Sequence, residues 1–389
     1  MEKYDEKTCR CALNRIFGFR PATAHALISM FGSAAGVFSA DRKTLPPGVA
    51  PLFSDSNLIS DKEYEVAEAE LATVAKLGAR FITENDLCYP PLLKECPDKP
   101  LGLYIRSASE DGELAASMQE CISIVGTRDI SLYGQEWSRR LVKAIGRRGS
   151  RTAIASGLAI GTDITVHRAA LEAGLPTIAV LPCGIDAVYP QRHDRDATRI
   201  ASSPRCAIIT DYPTGTAPLP INFIRRNRII AGMSRATVLI ESKVKGGGMI
   251  TARMAFSYDR DLFALPGRAD DIRSQGCNLL IREKVAEPVI SELSFTESLG
   301  LGKGADHTDS RENELAAMTA RFSGHLDKDT IGLLAGILLS IRENRGISIE
   351  ELAVQHDIPY RKVHELTTML EADGFISVDL MQRCSVLVK

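Results

Sequence analysis

The sequence predicts an α/β protein whose centre is an extended Rossmann-like, doubly wound parallel sheet, with a helical module before it and a winged helix after it. Three observations predict this fold. Between residues 121 and 290, short β-branched runs alternate with segments of helical period, as in a parallel sheet covered on both faces. Residues 1 to about 75 contain only short helical patterns interrupted by Gly and Pro. Residues 326–389 run in the order helix, turn, helix and hairpin.

The composition is that of an ordinary folded chain with two or three domains. The chain has 389 residues, of which 44% are hydrophobic and 25% charged. Its nine cysteines form no CxxC pair, which indicates neither a disulfide framework nor a zinc site. The N-terminus lacks the apolar region of a signal peptide, and no apolar stretch reaches the ~18 residues of a spanning helix. We expect a cytoplasmic protein without membrane insertion, and the residues indicate no cofactor and no metal.

Charge is distributed unevenly along the chain. Lys and Arg number 47, Asp and Glu number 49, and the formal net charge is −2. Residues 121–290 hold 24 basic and 15 acidic side chains, a net charge of +9, which leaves −11 for the remainder. The near-neutral total alone argues against a nucleic-acid binder, whereas the basic centre is compatible with a partner rich in phosphate.

The first 75 residues predict a small helical module of the SAM or helix-hairpin-helix kind. It includes a helix at 22–31 that ends before Gly32, followed by a turn at Leu45–Gly48. Residues 76–120 form a Pro-rich extended stretch that leads into the sheet. The Rossmann-like domain is therefore predicted at 76–290, with its motif core at 121–290.

The motif core repeats strand, loop and helix, which defines a doubly wound sheet. The predicted strands are 122–125, 152–155, 177–181, 207–210, 237–240 and 262–265, with helices near 134–148, 163–173, 194–202, 223–232 and 249–258 between them.

After the sheet, residues 291–325 break both periodicities and predict a linker before the winged-helix domain at 326–389. In that domain Ser348–Leu352 begins like a capping box, and a helix from Pro359 to Ala372 precedes a hairpin. This last helix mixes basic and acidic side chains, a poor electrostatic match to a duplex groove. Protein docking or structural capping is therefore a better hypothesis for this domain than the reading of duplex DNA.

The loops that follow the predicted strands are rich in Gly, hydroxyl groups and basic side chains, and ligands of a parallel sheet bind at this edge. They include 126–128 after the first strand, 156–157 after the second and 243–251 after the fifth. Gly permits close backbone approach, and helix N-termini favour phosphate oxygens. A tight turn explains any one such loop, but several on one edge favour a phosphate site. Neither GxxxxGK[ST] nor GxGxxG opens the first helix, so a nucleoside triphosphatase and a standard dinucleotide-dependent dehydrogenase lack support.

The segment Asn222–Arg228 is the most concentrated cationic feature. Helical spacing brings Arg225 and Arg228 near one face and Phe223 and Asn227 near another, which offers guanidinium groups to phosphates and a ring to a base. A solvated helix end with Phe223 in the core explains the spacing at least as well.

Asp163 and His167 are four residues apart and would meet on one helix face, as an acid/base pair or two metal ligands would. An Asp at a helix start and a His satisfied by packing is the simpler interpretation. An enzyme acting on a small nucleotide, such as a nucleotide phosphoribohydrolase, is the alternative function, with Asp163 and Glu241 as candidate carboxylates.

The order and spacing of these motifs resemble the bacterial DNA-processing protein A family (DprA, also called Smf) over about 170 residues. The resemblance implies a protein that is not an enzyme, binds single-stranded DNA, forms a homodimer and helps to load the recombinase RecA during natural transformation. The motifs that carry it are Ile124–Arg128, Ser156–Asp163, His167–Gly174, Gly184–Pro190, Asn222–Gly232, Gly247–Ala252 and Gly276–Ile281.

The resemblance also implies the residues that bind DNA. A first phosphate loop would consist of Gly126, Thr127 and Arg128, with Ser156 and Gly157 beside it. A base would stack on Phe223, in a pocket shaped by Arg225, Arg226 and Asn227. A second phosphate would be approached by Gly247, Gly248 and Thr251.

Two positions depart from the family pattern. Ile160 stands where many relatives carry Arg or Lys, and Pro220 stands where some carry a basic residue, so two phosphate contacts would be missing. Lys243, Lys245 and Arg226 are candidates to replace them. The helix around 277–281 resembles the part that relatives use for self-association, which predicts a homodimer.

Overall fold

The structure is a computed structural model, and it describes residues 3–41, 45, 48–53, 59–148, 151–301, 315, 318–324, 326–344, 346–379 and 382–386. The chain divides into two compact units, Met1–Leu301 and Gly302–Lys389. Each unit has its own hydrophobic core among the described residues.

Within its described residues, the first unit is built on a nine-stranded mixed sheet. The strand order is β1-β2-β6-β5-β4-β3-β7-β8-β9. Neighbours from β6 to β9 are parallel, whereas β1 and β2 are antiparallel to their neighbours at the edge. The strands are β1 (Ala79–Thr83), β2 (Gly102–Arg106), β3 (Cys121–Val125), β4 (Ala153–Ser156), β5 (Thr177–Val180), β6 (Ala207–Thr210), β7 (Ala236–Leu239), β8 (Asp261–Ala264) and β9 (Glu287–Pro288).

Helices connect these strands and cover the sheet. They are α1 (Glu6–Phe17), α2 (Pro21–Phe31), α3 (Ala34–Ser39), α4 (Asp61–Lys76), α5 (Pro91–Lys94), α6 (Asp111–Gln119), α7 (Leu132–Arg147), α8 (Thr162–Glu172), α9 (Asp194–Ser202), α10 (Pro220–Gly232), α11 (Gly247–Ser257), α12 (Gln275–Arg282) and α13 (Glu292–Ser298), with 3-10 turns at Ala50–Phe53 and Gln191–His193.

The prediction of a mostly parallel α/β sheet is confirmed. All six predicted strands form, and β3 to β7 are buried throughout. Continuous β-branched and apolar runs specify such strands because both faces of the sheet are covered by helices. The chain adds β4, β5 and β6 on one side of β3 and then crosses to add β7, β8 and β9 on the other.

Two segments differ from the predictions. The stretch at 76–120 is not merely an extended lead-in, because β1 and β2 pair with each other and β2 continues the sheet beyond β6. The predicted linker is wrong in its first part, because α13 occupies residues 292–298. Ser291 caps α13, and Phe295 and Leu299 bury their side chains in the core of the sheet.

The N-terminal helices pack against the edge of the sheet that β1 forms. Asn14 of α1 donates its side-chain N–H to the carbonyl oxygen of Asp211, which follows β6, at 2.8 Å. Arg15 of α1 forms an ion pair with Glu70 of α4, whose carboxylate also accepts the backbone N–H of Thr214 at 2.8 Å. These contacts hold α1 and α4 against the loops that follow β6.

The second unit contains, in its described part, three bounded helices and a small sheet. The helices are α14 (Lys328–Glu343), α15 (Ile349–His356) and α16 (Tyr360–Ala372), and the strands are β10 (Ile347–Ser348), β11 (Ile376–Val378) and β12 (Arg383–Val386) in the order β10-β12-β11. The predicted capping box is confirmed, because Ser348 and Glu351 each accept the other's backbone N–H.

Among all the described residues of both units, no helix is long and apolar enough to cross a membrane.

Candidate functional site

A cleft opens at the carboxyl ends of the parallel strands, where the winding of the sheet reverses between β3 and β7. Its volume is about 590 Å³. Ligands of doubly wound sheets bind at this topological switch point, because the loops diverge there and leave a crevice. We call it the switch cleft. The sequence-predicted residues that line it are Gly126, Thr127, Arg128, Phe223, Arg226, Asn227, Lys243, Gly247, Gly248 and Thr251.

Two glycines allow the loops of the switch cleft to approach each other. A Cβ on Gly248 would lie 2.7 Å from the Cδ1 of Leu239 and 3.3 Å from the Cα of Gly126. A Cβ on Gly126 would lie 2.4 Å from the Oγ1 of Thr162. Both positions therefore require glycine for close backbone approach, as the sequence predicted for this edge.

The N-terminus of α11 forms one wall of the switch cleft. Gly246 is its N-cap, and among the described residues no side chain caps the helix. Gly247, Gly248 and Thr251 follow within the first turns and line the cleft. The first N–H groups of a helix carry a partial positive charge and suit an anionic oxygen. Lys243 lines the same wall and adds a full positive charge.

Arg128 and Phe223 form a cation–aromatic pair that also lines the switch cleft. The guanidinium carbon of Arg128 lies 4.8 Å from the centre of the Phe223 ring. Tyr189 meets the same ring edge-on, with ring centres 5.3 Å apart and planes at 76°. Phe223 is half-buried and Arg128 exposed. The two side chains therefore stabilise each other at the rim, because a guanidinium over a ring face is electrostatically favourable.

Arg226 lies beneath the switch cleft and is only 3% exposed. Its guanidinium donates to the carbonyl oxygen of Val180 and packs on Gly157, where a Cβ would overlap it. Burial raises the pKa of Asp163, and the nearby positive charge of Arg226 opposes that rise. Arg226 therefore balances a buried carboxylate in the floor of the cleft.

Four predicted site residues lie outside the wall of the switch cleft. Ser156 is buried and donates its hydroxyl to the carbonyl oxygen of Ile124 at 2.7 Å, so it joins two strands. Gly157 supports Arg226 from below. Arg225 turns away toward Phe19, with its guanidinium carbon 4.0 Å from that ring. Lys245 is exposed beyond the lining.

The arginines that were predicted to share one face of α10 lie in different environments in the structure. Arg228 is buried and forms an ion pair with Asp211 at 2.6 Å, so it does not share an exposed face with Arg225. Helical spacing alone placed the two together, but Arg228 faces the sheet and holds α10 to the loop after β6. The interpretation of a solvated helix end with Phe223 in the core is wrong in its second part, because Phe223 is half-buried and lines the switch cleft.

Glu241 and His167 have structural partners. Glu241 accepts the backbone N–H of Ser131 at 2.9 Å and also its hydroxyl, which fixes the start of α7. The Nδ1 of His167 lies 2.7 Å from the hydroxyl oxygen of Thr177, and that hydroxyl donates to the carbonyl oxygen of Ile154 at 2.8 Å. The His167 ring must therefore donate from Nδ1. Burial lowers the pKa of His167 to about 3.

This burial of His167 predicts a loss of stability in mild acid. The pKa of His167 in the folded protein lies below its ordinary value. The stability that the neutral ring provides is therefore complete above pH ~6.5 and is lost as the pH falls toward 3. We expect the free energy of unfolding to be about 2 kcal/mol lower at pH 5 than at pH 7 from this group. In His167→Asn, whose amide replaces Nδ1 without titrating, that difference should shrink by the same amount. An unchanged difference in urea titrations would contradict the assignment.

In the part of the chain that the structure describes, no three His, Cys, Asp or Glu side chains are grouped to hold a metal ion. Residues of the lining that sequence reasoning missed include Pro218, Ile224 and Ser242. Sequence reasoning also missed Phe19. The signal for Phe19 was an aromatic residue in the polar Gly18–Arg20 turn between two helices.

The sheet and the position of its cleft define a Rossmann-like α/β protein with a glycine-lined crevice at the switch point. Residues 80–300 match the model of the family described as DNA recombination-mediator protein A. This match covers more than half of the chain, and the chain belongs to that family. The predicted membership is confirmed, and the family is described as a mediator and not as an enzyme, as expected.

Individual relatives agree with the family match. The chain is 38% identical over 221 residues to protein Smf of Synechocystis, a match that covers 57% of this chain and 54% of that relative. The chain thus spans about half the length of that curated relative.

Two solved structures are similar to the chain. DNA processing protein A of Streptococcus pneumoniae is 31% identical with a TM-score of 0.52, over 60% of this chain and 80% of that one. DNA processing protein A of Helicobacter pylori, described by its single-stranded DNA binding mode, is 26% identical with a TM-score of 0.50, over 57% of this chain and 95% of that one.

Proposed function

We propose that this protein binds single-stranded DNA in the switch cleft, without preference for base sequence. The observation that carries the proposal is the pairing of Arg128 with Phe223 in the same cleft as the N-terminus of α11, which has no side-chain cap among the described residues. The aromatic pair suits a base, the helix N-terminus suits a phosphate, and a strand of nucleic acid presents both at short intervals. The single-stranded DNA binding of the Helicobacter pylori relative supports the proposal.

Electrostatics support the same ligand. The region 121–290 carries a net charge of +9, and Arg128 and Lys243 bring two of its positive charges to the cleft. Backbone N–H groups and cations bind phosphates of any sequence, and every base has a face that stacks on an aromatic ring. We therefore expect strong dependence on salt and weak dependence on sequence.

The two departures from the family pattern lie along the switch cleft. Ile160 and Pro220 both line it, and Pro220 also begins α10. Of the three proposed replacements, Lys243 lines the cleft with an exposed side chain, Lys245 lies beyond the lining, and Arg226 is buried. We propose that Lys243 supplies the phosphate contact that these positions lack.

An oligonucleotide competition experiment tests the proposed ligand. A labelled oligothymidylate bound to the full-length protein should be displaced by unlabelled single strands of mixed sequence at similar concentrations. The duplex of the same sequence should compete at least tenfold more weakly, since a paired base cannot reach Phe223. Equal competition by the duplex would contradict the proposal.

We also propose that the protein assists the loading of a RecA-type recombinase in DNA processing during transformation and recombination, and that it works in the cytoplasm as a homodimer. The family description as a recombination mediator supports this role. Two measurements test it: the rate at which RecA assembles on DNA coated with a single-strand-binding protein, and the molecular mass in solution. No acceleration by the added protein would contradict the loading role.

For the domains, we propose a SAM-like helical module at the N-terminus and a winged helix at 326–389. The helices α14 to α16 and the small β10–β12 sheet support the latter. Since the switch cleft lies entirely in the first unit, removal of residues 302–389 should change the affinity for a short oligothymidylate by less than about twofold. Complete loss of binding, with the first unit still folded, would mean that the site lies in the second unit.

A further inference from the structure

An exposed aromatic side chain stands beside the switch cleft on the N-terminal helices. Phe19 lies in the turn between α1 and α2 and is 57% exposed. The guanidinium carbon of Arg225 lies 4.0 Å from the centre of its ring. We call these two residues the Phe19–Arg225 pair. It has the same composition as the Arg128–Phe223 pair in the cleft, a guanidinium group over the ring of a phenylalanine.

The two pairs are adjacent along α10. Phe223 and Ile224 line the switch cleft, and Arg225 is the next residue. A helix turns by about 100° per residue, so Arg225 leaves the cleft wall and points toward the N-terminal helices. Arg225 therefore lies about 200° around α10 from Phe223, so a strand that leaves the switch cleft would reach the Phe19–Arg225 pair by passing around the first turns of α10.

The ring of Phe19 is held in a defined place. Asn14, in the last turn of α1, is buried and donates its side-chain N–H to the carbonyl oxygen of Asp211 at 2.8 Å. Tyr212, which follows Asp211, contacts the Phe19 ring with ring centres 6.1 Å apart. An aromatic side chain that is both exposed and anchored loses little conformational entropy when a ligand stacks on it.

We infer that the Phe19–Arg225 pair is a second stacking platform, which receives a base of the single strand where it leaves the switch cleft. The inference rests on the proposed function and assigns to the N-terminal helices a direct part in DNA binding. Arg20, exposed beside Phe19, supplies a positive charge for the adjoining phosphate. Arg225, predicted to shape the pocket, instead extends it.

Charge favours DNA over a protein partner on this surface. Arg225 covers the Phe19 ring and Arg20, the next residue in the chain, is exposed, and an aromatic ring accompanied by cationic side chains suits alternating bases and phosphates. An apolar protein surface would leave both charges desolvated without a partner, which is unfavourable. Docking of a second copy of the chain on Phe19 is the competing possibility.

Oligonucleotide length separates the second platform from the first. The full-length protein is titrated with fluorescently labelled oligothymidylates of about 6 and about 20 nucleotides. Phe19→Ser should weaken the longer one about tenfold and leave the shorter one within about twofold, because only the longer strand reaches both platforms. Phe19→Trp should retain the wild-type affinity for the longer strand, and Arg225→Gln should weaken it severalfold.

Met30→Ser is the matched control, since Met30 is 54% exposed on the same N-terminal helices but at the far end of α2. It should alter neither affinity. Equal affinity of Phe19→Ser and wild type for the longer strand would overturn the inference, and so would equal weakening for both lengths. A lower mass in solution for Phe19→Ser, with unchanged DNA affinity, would assign the surface to self-association. If the wild type binds neither oligonucleotide, the proposed function itself fails.

Discussion

Replacement of Arg128 by Ala should weaken the binding of single-stranded DNA about thirtyfold, which corresponds to about 2 kcal/mol. Two contributions are lost together. Arg128 is an exposed cation at the rim of the switch cleft, and a guanidinium–phosphate contact is among the stronger hydrogen-bonded interactions. Its guanidinium also covers a face of Phe223, so that ring loses the partner that orients it.

Two variants distinguish this effect from a general change of charge. Arg199→Ala removes one exposed positive charge near the end of α9, at the edge of the sheet opposite the cleft, and should change the affinity less than twofold. Arg128→Lys keeps the charge but not the planar group, so it should recover only part of the loss. Titrations of a single-stranded oligonucleotide at one fixed salt concentration compare the affinities of these variants with that of the wild type. Similar affinities for Arg128→Ala and Arg199→Ala would contradict the placement of the site.

Replacement of Arg226 by Met should lower the free energy of unfolding of the first unit by about 3 kcal/mol. Arg226 is buried, and its positive charge opposes the rise that burial causes in the pKa of Asp163. Without Arg226, the carboxylate has no compensating charge in the floor of the cleft. The loss should be larger at pH 8 than at pH 5, because protonation of Asp163 removes the uncompensated charge.

Urea titration followed by the fluorescence of Trp137 measures this change, since the single tryptophan lies on α7 in the first unit. Arg225→Met is the matched control one residue away. Because the Arg225 side chain is partly exposed, its replacement should lower the free energy of unfolding by less than about 1 kcal/mol. Asp163→Asn should restore part of the stability lost in Arg226→Met. A loss below about 1 kcal/mol in the single variant would show that Arg226 is not needed to balance Asp163.

Much of the fold was predictable because parallel strands are specified locally. Each buried strand is a short and largely apolar run, and each is followed within two residues by Gly, Pro or a charged residue that marks its end. The pairing of β1 with β2 was not predictable in this way, since their partners depend on contacts between distant segments. The helix α13 was missed because its apolar positions are few and Gly300–Gly304 follows directly.

The loops of the site were predictable, but the direction of each side chain was not. Strand order brings residues 126–128 and 243–251 to one cleft, as the positions of Gly, Thr and Lys indicated. Ser156 and Gly157 have motif positions like those of ligand-binding residues, yet they lie outside the lining, and Arg226 is buried in the floor of the cleft with its guanidinium bonded to a backbone carbonyl oxygen. The packing of the folded chain determines whether such a residue contacts the ligand or supports the cleft. The sequence motif is the same whether the side chain faces a buried carbonyl oxygen or the solvent.

The salt dependence of single-strand binding tests the central claim most directly. The affinity of the full-length protein for an oligothymidylate is measured by fluorescence anisotropy across a series of salt concentrations, for the wild type and for Arg128→Ala. The account predicts a steep linear fall of log affinity with log salt in the wild type, with a slope smaller by about one in Arg128→Ala. A wild-type affinity independent of salt, or the same slope and affinity in both proteins, would contradict it.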